Sequence, residues 1–160
     1  MSLTDDAPLV YVVDDDEPFR DSLRWLLESA GYRAVTYSTA ERFLHEYEPG
    51  AAACLVLDVR LPGMSGLELQ QALHRIGETL PMIFITGHAD DRTALEALQN
   101  GAFQFLQKPF QDTVLLDLID QVVRHKYGAP ALKHYSRGWP GRVRDRSGAL
   151  PLFTLRRIDR

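Results

Sequence analysis

Leu9-Val10-Tyr11-Val12-Val13 is an unbroken apolar run that stops at Asp14-Asp15-Asp16. Three more runs end on a polar residue in the same way: Cys54-Leu55-Val56-Leu57 at Asp58, Met82-Ile83-Phe84-Ile85 at Thr86, and Phe103-Gln104-Phe105-Leu106-Gln107 at Lys108. Short runs without polar alternation are expected to be strands covered on both faces, as in parallel sheets. The C-terminal ends of parallel strands share one edge. Carboxylates, a hydroxyl and an ammonium are therefore expected to meet there.

The segments between the runs read as helices. Pro18 suits the first turn of a helix reaching about Ala30, with Phe19, Leu23, Leu26 and Leu27 as its apolar stripe and Gly31 as its stop. Arg33-Ala34-Val35-Thr36-Tyr37 is a further strand, and Ser38-Thr39-Ala40-Glu41 has the capping-box pattern for a second helix ended by Pro49-Gly50. Ser65-Gly66-Leu67-Glu68 opens a third helix running through Ile76. Asp90 or Asp91 caps a fourth helix that ends at Asn100-Gly101, and Asp112 caps a fifth reaching about Tyr127. Strand and helix alternate five times. The expected fold is α/β, a doubly wound (βα)5 flavodoxin-like sandwich with parallel strand order 2-1-3-4-5.

A chain of 160 residues, 45% hydrophobic and 25% charged, suits one globular domain. No apolar stretch approaches the ~18 residues that cross a bilayer, so no membrane partner is expected. Residues 1–6 lack a basic, apolar signal pattern, and the single Cys54 allows no internal disulfide; a cytoplasmic protein fits both. The net charge of −4 hides an asymmetry. Residues 1–125 carry 9 Lys+Arg against 20 Asp+Glu, a net −11, whereas residues 126–160 carry 9 against 2, a net +7. The apolar grammar also fails beyond Tyr127, where Gly128, Pro130, Gly138, Pro140, Gly141, Gly148 and Pro151 interrupt every helix. The expected division is a domain over 1–127 and a disordered, basic, Gly/Pro-rich tail over 128–160.

In a sheet of that order the crevice lies outside the ends of strands 1 and 3, which here carry Asp14-Asp15 and Asp58. Clustered carboxylates repel unless a cation offsets them. With oxygen ligands and no His or Cys among the strand ends, the cation is expected to be Mg²⁺ or Mn²⁺. Lys108 suits a phosphoryl oxygen, the Thr86 hydroxyl can donate to another, and Gly87 leaves room for a close ligand. Taken singly, an acidic turn, a strand-end Asp or a Lys-Pro is ordinary. Four strand ends each with a suitable residue are not.

Val13-Asp14-Asp15-Asp16, Leu57-Asp58-Val59-Arg60-Leu61-Pro62-Gly63-Met64-Ser65-Gly66, Ile85-Thr86-Gly87-His88 and Lys108-Pro109-Phe110 together resemble the receiver domain of two-component response regulators, in wording similar to the FixJ-like branch. The resemblance covers about residues 8–125. It implies a protein that is not an enzyme, in which Asp58 accepts a phosphoryl group from a sensor histidine kinase and assists its own phosphorylation and dephosphorylation. It implies Mg²⁺ bound by Asp15, Asp58 and the backbone carbonyl of Arg60, with Asp14 acting through a water. Lys108 would hold the phosphoryl group, Thr86 would move toward it, and Phe105 would swing inward, remodelling the surface of helix 4, strand 5 and helix 5. His88 lies at the rim or on the plain surface.

Members of that branch usually continue into a helix-turn-helix DNA-binding domain, and residues 128–160 offer no amphipathic helix pair for one. A stand-alone receiver, a shortened chain and a frameshifted tail all stay open. The expected output is a phosphorylation-enhanced homodimer or a separate partner, plausibly in transcription regulation. Two other readings compete. A haloacid-dehalogenase-like phosphatase would use Asp14 and Asp16, but it meets Pro18 where that class expects Thr or Val and leaves Asp58 without a role. A phosphorylation-independent module would bind nucleic acid through the basic tail, with Tyr135, Trp139 and Phe153 stacking on bases.

Overall fold

The computed structural model describes residues 7–49, 53–87 and 91–127. Five parallel strands, β1 (Leu9–Val13), β2 (Arg33–Tyr37), β3 (Ala53–Asp58), β4 (Met82–Thr86) and β5 (Gln104–Gln107), pair in the order β2-β1-β3-β4-β5. Helices α1 (Glu17–Ser29), α2 (Ala40–Glu46), α3 (Gly66–Arg75), α4 (Asp91–Gln99) and α5 (Asp112–Tyr127) alternate with them. This is the doubly wound flavodoxin-like architecture read from the sequence. β1 and β4 are buried at every position, as strands covered on both faces must be. The edge strand β2 is only partly covered.

The winding direction explains how the helices divide. The step from β1 to β2 runs one way along the sheet, and the steps from β2 to β3, β4 and β5 run the other. Crossovers of one hand therefore put α1 on one face and α2, α3 and α4 on the opposite face. The core splits accordingly. Val10, Val12, Cys54, Val56, Ile83 and Ile85 pack with Leu23 and Leu27 of α1 and with Leu115, Ile119 and Val122 of α5. Tyr11, Leu55, Leu57 and Phe84 pack with Phe43 of α2, Leu69 and Leu73 of α3 and Ala97 of α4. Cys54 is fully buried, and burial pushes its thiol up to about 12, as expected of a small core residue.

Local differences from the sequence reading have identifiable causes. Thr39, not Ser38, caps α2, its hydroxyl accepting from the Arg42 amide at 3.1 Å. Glu41 does not close a capping box; its Oε2 accepts from the Met64 amide at 2.9 Å. Helix α2 stops at Glu46, before Pro49. The Ser65–Glu68 capping box does form. β5 starts at Gln104 rather than Phe103, and Asp112 sits in the first turn of α5 rather than capping it. Gly31 and Gly101 end α1 and α4 with φ of 98° and 105°, which suit glycine. His88, Asp90 and the whole of 128–160 lie outside the described residues. No helix among the described residues is long and apolar enough to cross a membrane.

Phe43 is fully buried between Tyr11, Tyr37 and Tyr47, with ring centroids 5.1, 5.5 and 5.2 Å away. Phe43→Ala should cost about 3–5 kcal/mol of stability. Trp25, 72% exposed on the outer face of α1, should tolerate Ala within about 0.5 kcal/mol. Urea unfolding of the two variants checks both values.

Candidate functional site

Backbone hydrogen bonds continue the ladder past each strand end and fix the first residues beyond it. The Asp14 amide donates to the Tyr37 carbonyl at 3.1 Å, the Val59 amide to Ile85 at 3.0 Å, and the Lys108 amide to Thr86 at 2.7 Å. Asp14, Asp58 and Lys108 are thus set by the sheet itself and not by free loops. Their side chains converge. Lys108 Nζ lies 3.2 Å from Asp14 Oδ2 and 3.3 Å from Asp58 Oδ2.

The other carboxylate oxygens are held by backbone amides. Asp14 Oδ1 accepts from Asp16 N at 2.9 Å, and Asp58 Oδ1 accepts from Arg60 N at 2.9 Å. Asp14 and Asp58 are buried, whereas Asp15 is exposed at the rim. Thr86 is buried at the end of β4, and its exposed neighbour Gly87 has open space where a side chain would stand. Phe105, half-buried in β5 opposite Phe84, packs against the core shared with α2, α3 and α4.

Burial raises the Asp14 carboxyl above its ordinary range, by more than the Asp16 amide and Lys108 lower it. Burial lowers Lys108, but the Asp14 and Asp58 charges outweigh it and raise the ammonium on balance. Lys108 therefore gains from the pairing, while Asp14 carries a net cost of being ionised in a buried position.

One oxygen from each of Asp14, Asp15 and Asp58 lies within 4.8 Å of the others. Two oxygens on opposite sides of a Mg²⁺, each at ~2.1 Å, stand about 4.2 Å apart, so this donor set fits a small hard cation with little adjustment.

The sequence reading missed several parts of the site. Phe19, taken only as part of an apolar stripe, lies under Lys108 with its ring centroid 4.1 Å from Nζ, and meets Phe110 edge-on at 6.2 Å. Arg20 Nη1 donates to the Asp14 carbonyl at 2.8 Å. Both follow from the first turn of α1 packing above the end of β1, which the position of Pro18 hinted at. Gly66 has a steric role: a Cβ there would stand 2.4 Å from the Asp58 carbonyl oxygen and 3.2 Å from the Phe84 ring. Asp16, the second acid of the phosphatase reading, instead caps α1, with its carboxylate toward the Phe19 amide.

A model of the response regulator receiver domain family matches residues 10–120. Nodulation protein W of Bradyrhizobium diazoefficiens is 46% identical over 111 residues, 69% of this chain and 49% of that protein. Transcriptional regulatory protein FixJ of the same organism is 40% identical over 124 residues, 78% of this chain and 60% of that protein. The chain spans about half the length of curated relatives such as the first of these. The solved response regulator StyR superposes with a TM-score of 0.71 at 46% identity, covering 74% of this chain and 60% of that one.

The Asp14 shift has a definite sign. An acid whose folded pKa lies above its unfolded value destabilises the fold while ionised, and that cost is relieved as pH falls through the raised pKa. Without divalent cations, Asp14→Asn should therefore be more stable than wild type at pH 7. Its advantage should shrink on acidification, and urea midpoints from pH 7 to pH 4 check both statements.

Proposed function

This chain belongs to the response regulator receiver domain family, and we propose that its Asp58 accepts a phosphoryl group from the phosphohistidine of a sensor histidine kinase. Receiver domains are phosphoacceptors, interact with sensor histidine kinases and generally bind Mg²⁺ at their acidic pocket. The observation that carries the reading for this chain is the Lys108 ammonium set between Asp14 and Asp58 at the ends of three strands.

In the proposed step an Asp58 carboxylate oxygen attacks phosphorus. The new O–P bond forms as the N–P bond breaks, and the imidazole nitrogen of the donor keeps the electron pair. Lys108, already 3.3 Å from Asp58, holds an oxygen of the transferred group, and the Thr86 hydroxyl donates to another. Asp15, Asp58 and the Arg60 carbonyl would hold Mg²⁺ (or Mn²⁺) directly, with Asp14 acting through a water. Bound there, the cation would offset the charge gathering on the phosphoryl oxygens. The Arg60 amide on Asp58 Oδ1 fixes the carboxylate's rotation, leaving its other oxygen toward Lys108. The same arrangement would assist hydrolysis of the acyl phosphate, so the phosphorylated state is transient.

A signal requires two states whose balance the phosphoryl group shifts. Recruitment of Thr86 would draw in the loop after β4 and make room for half-buried Phe105 to turn inward. The face of α4, β5 and α5, where Leu95 is 54% exposed, would then change shape. We assign to this face a phosphorylation-enhanced homodimer or the binding of a separate partner. A role in transcription regulation is supported by relatives named as transcriptional regulators. The receiver unit is taken as 1–127 and residues 128–160 as a basic appendage. Nucleic acid would be reached through that appendage or an output domain outside this sequence, and the setting is cytoplasmic.

Acetyl phosphate with Mg²⁺ should add one phosphoryl mass to the wild-type chain and none to Asp58→Asn. Asp15→Ala should slow labelling by at least about 10-fold, the lower range for disturbing a metal site. Intact mass spectrometry over time reads all three, and equal labelling of Asp58→Asn would overturn the assignment.

A further inference from the structure

Lys108 is held on two sides by charge and on a third by an aromatic face. Its Nζ donates to Asp14 Oδ2 at 3.2 Å and to Asp58 Oδ2 at 3.3 Å, and the Phe19 ring centroid lies 4.1 Å away. The charged atom itself, and not only the stem, stands over the ring. The Lys108 side chain is 22% exposed, so the ring occupies space that water would otherwise fill.

Phe19 is fixed independently of Lys108. It lies in the first turn of α1, which the Asp16 carboxylate caps and which Arg20 Nη1 ties to the Asp14 carbonyl at 2.8 Å. On another side the half-buried Phe110 ring meets it edge-on, with centroids 6.2 Å apart and planes at 84°. Both rings pack against the core shared by α1 and α5. Phe110 follows Lys108 by two residues, so α1 and the segment after β5 close on the ring together.

A lysine stem is flexible, and its ammonium is a strongly hydrated point charge. An apolar wall alone favours the methylenes and leaves the charged end to water. An aromatic face attracts the cation itself, through the negative potential of its π-system. The attraction is broad, so the ammonium can change hydrogen-bond partners without leaving the ring. We propose that Phe19 is a positioning residue for Lys108: its face keeps the ammonium at the junction of β1, β3 and β5 while a carboxylate oxygen is exchanged for a phosphoryl oxygen. This rests on the phosphoryl-holding role proposed above for Lys108. Phe19 touches no reacting atom. It acts by keeping the Lys108 stem ordered before the phosphoryl group arrives, so that less freedom is lost in the step itself.

Mono-, di- and trifluorinated phenylalanine placed at position 19 vary the charge of the ring face at nearly constant size. Each fluorine weakens the attraction for a cation while making the ring more apolar. Urea midpoints of the full chain without Mg²⁺ should fall with each fluorine. The trend should vanish in Lys108→Met, which keeps a long apolar stem without the charge. Labelling by acetyl phosphate with Mg²⁺ should slow in the same order, and by about 3-fold in Phe19→Leu. Midpoints that hold or rise with fluorination would overturn the proposal, because burial alone would then account for the ring. Falling midpoints with an unchanged labelling rate would overturn it too, since the contact would stabilise the fold without positioning Lys108 for its task. A wild-type chain that takes no label while the midpoints fall would bring down the phosphoryl reading of Lys108, and this inference with it. If Lys108→Met does not fold, the fluorinated series with Lys108 in place still decides.

Discussion

Two carboxylates and one ammonium, brought together from three parallel strands, are the arrangement on which the rest of the site depends. Asp14 and Asp58 would repel each other if nothing stood between them, and the ends of β1 and β3 would be driven apart. Lys108 prevents this by reaching both, from a strand end two positions further along the sheet than Asp58. The ladder hydrogen bonds continuing past β1, β3 and β5 make the arrangement rigid. The sheet therefore delivers charge to one point without relying on loop conformation. The remaining strain is placed on Asp14, whose burial opposes its ionisation.

Much of this was legible in the sequence because the signals were independent and local. Each apolar run marked a strand, each polar stop marked an edge, and the order of a doubly wound sheet puts strands 1 and 3 side by side. The less legible features depend on residues distant in the chain. Ser38 and Thr39 are equally good caps on paper. The choice goes with Glu41, which serves the Met64 amide 23 residues away instead of closing a box. Gly66 reads as a helix start, and its need to be glycine comes from the Asp58 carbonyl beneath it. Phe19 and Arg20 belong to the site because α1 returns over the end of β1, a packing fact with no sequence period of its own.

The candidate site and Phe105 occupy different places on the sheet. The acids and Lys108 sit at its carboxyl edge, while Phe105 reaches the layer of α2, α3 and α4 through the side of β5. Thr86 links the two regions. Its carbonyl holds the Lys108 amide, and it ends the strand against which β5 pairs. In the proposed switch, a change in what Thr86 contacts would be passed to β5 through this hydrogen-bonded pairing.

Lys108 reaches Asp58, a proposed direct ligand of the divalent cation, and Asp14, which would act on that cation through a water, so ammonium and cation would compete for one charge cluster. Calorimetric titration of Mg²⁺ into wild type and Lys108→Gln, at equal pH and ionic strength, tests this without any phosphoryl donor. Binding in Lys108→Gln is expected to be tighter by about 10-fold, equivalent to ~1.4 kcal/mol. Unchanged or weaker binding would contradict it, because the cation site and the Lys108 site would then be separate.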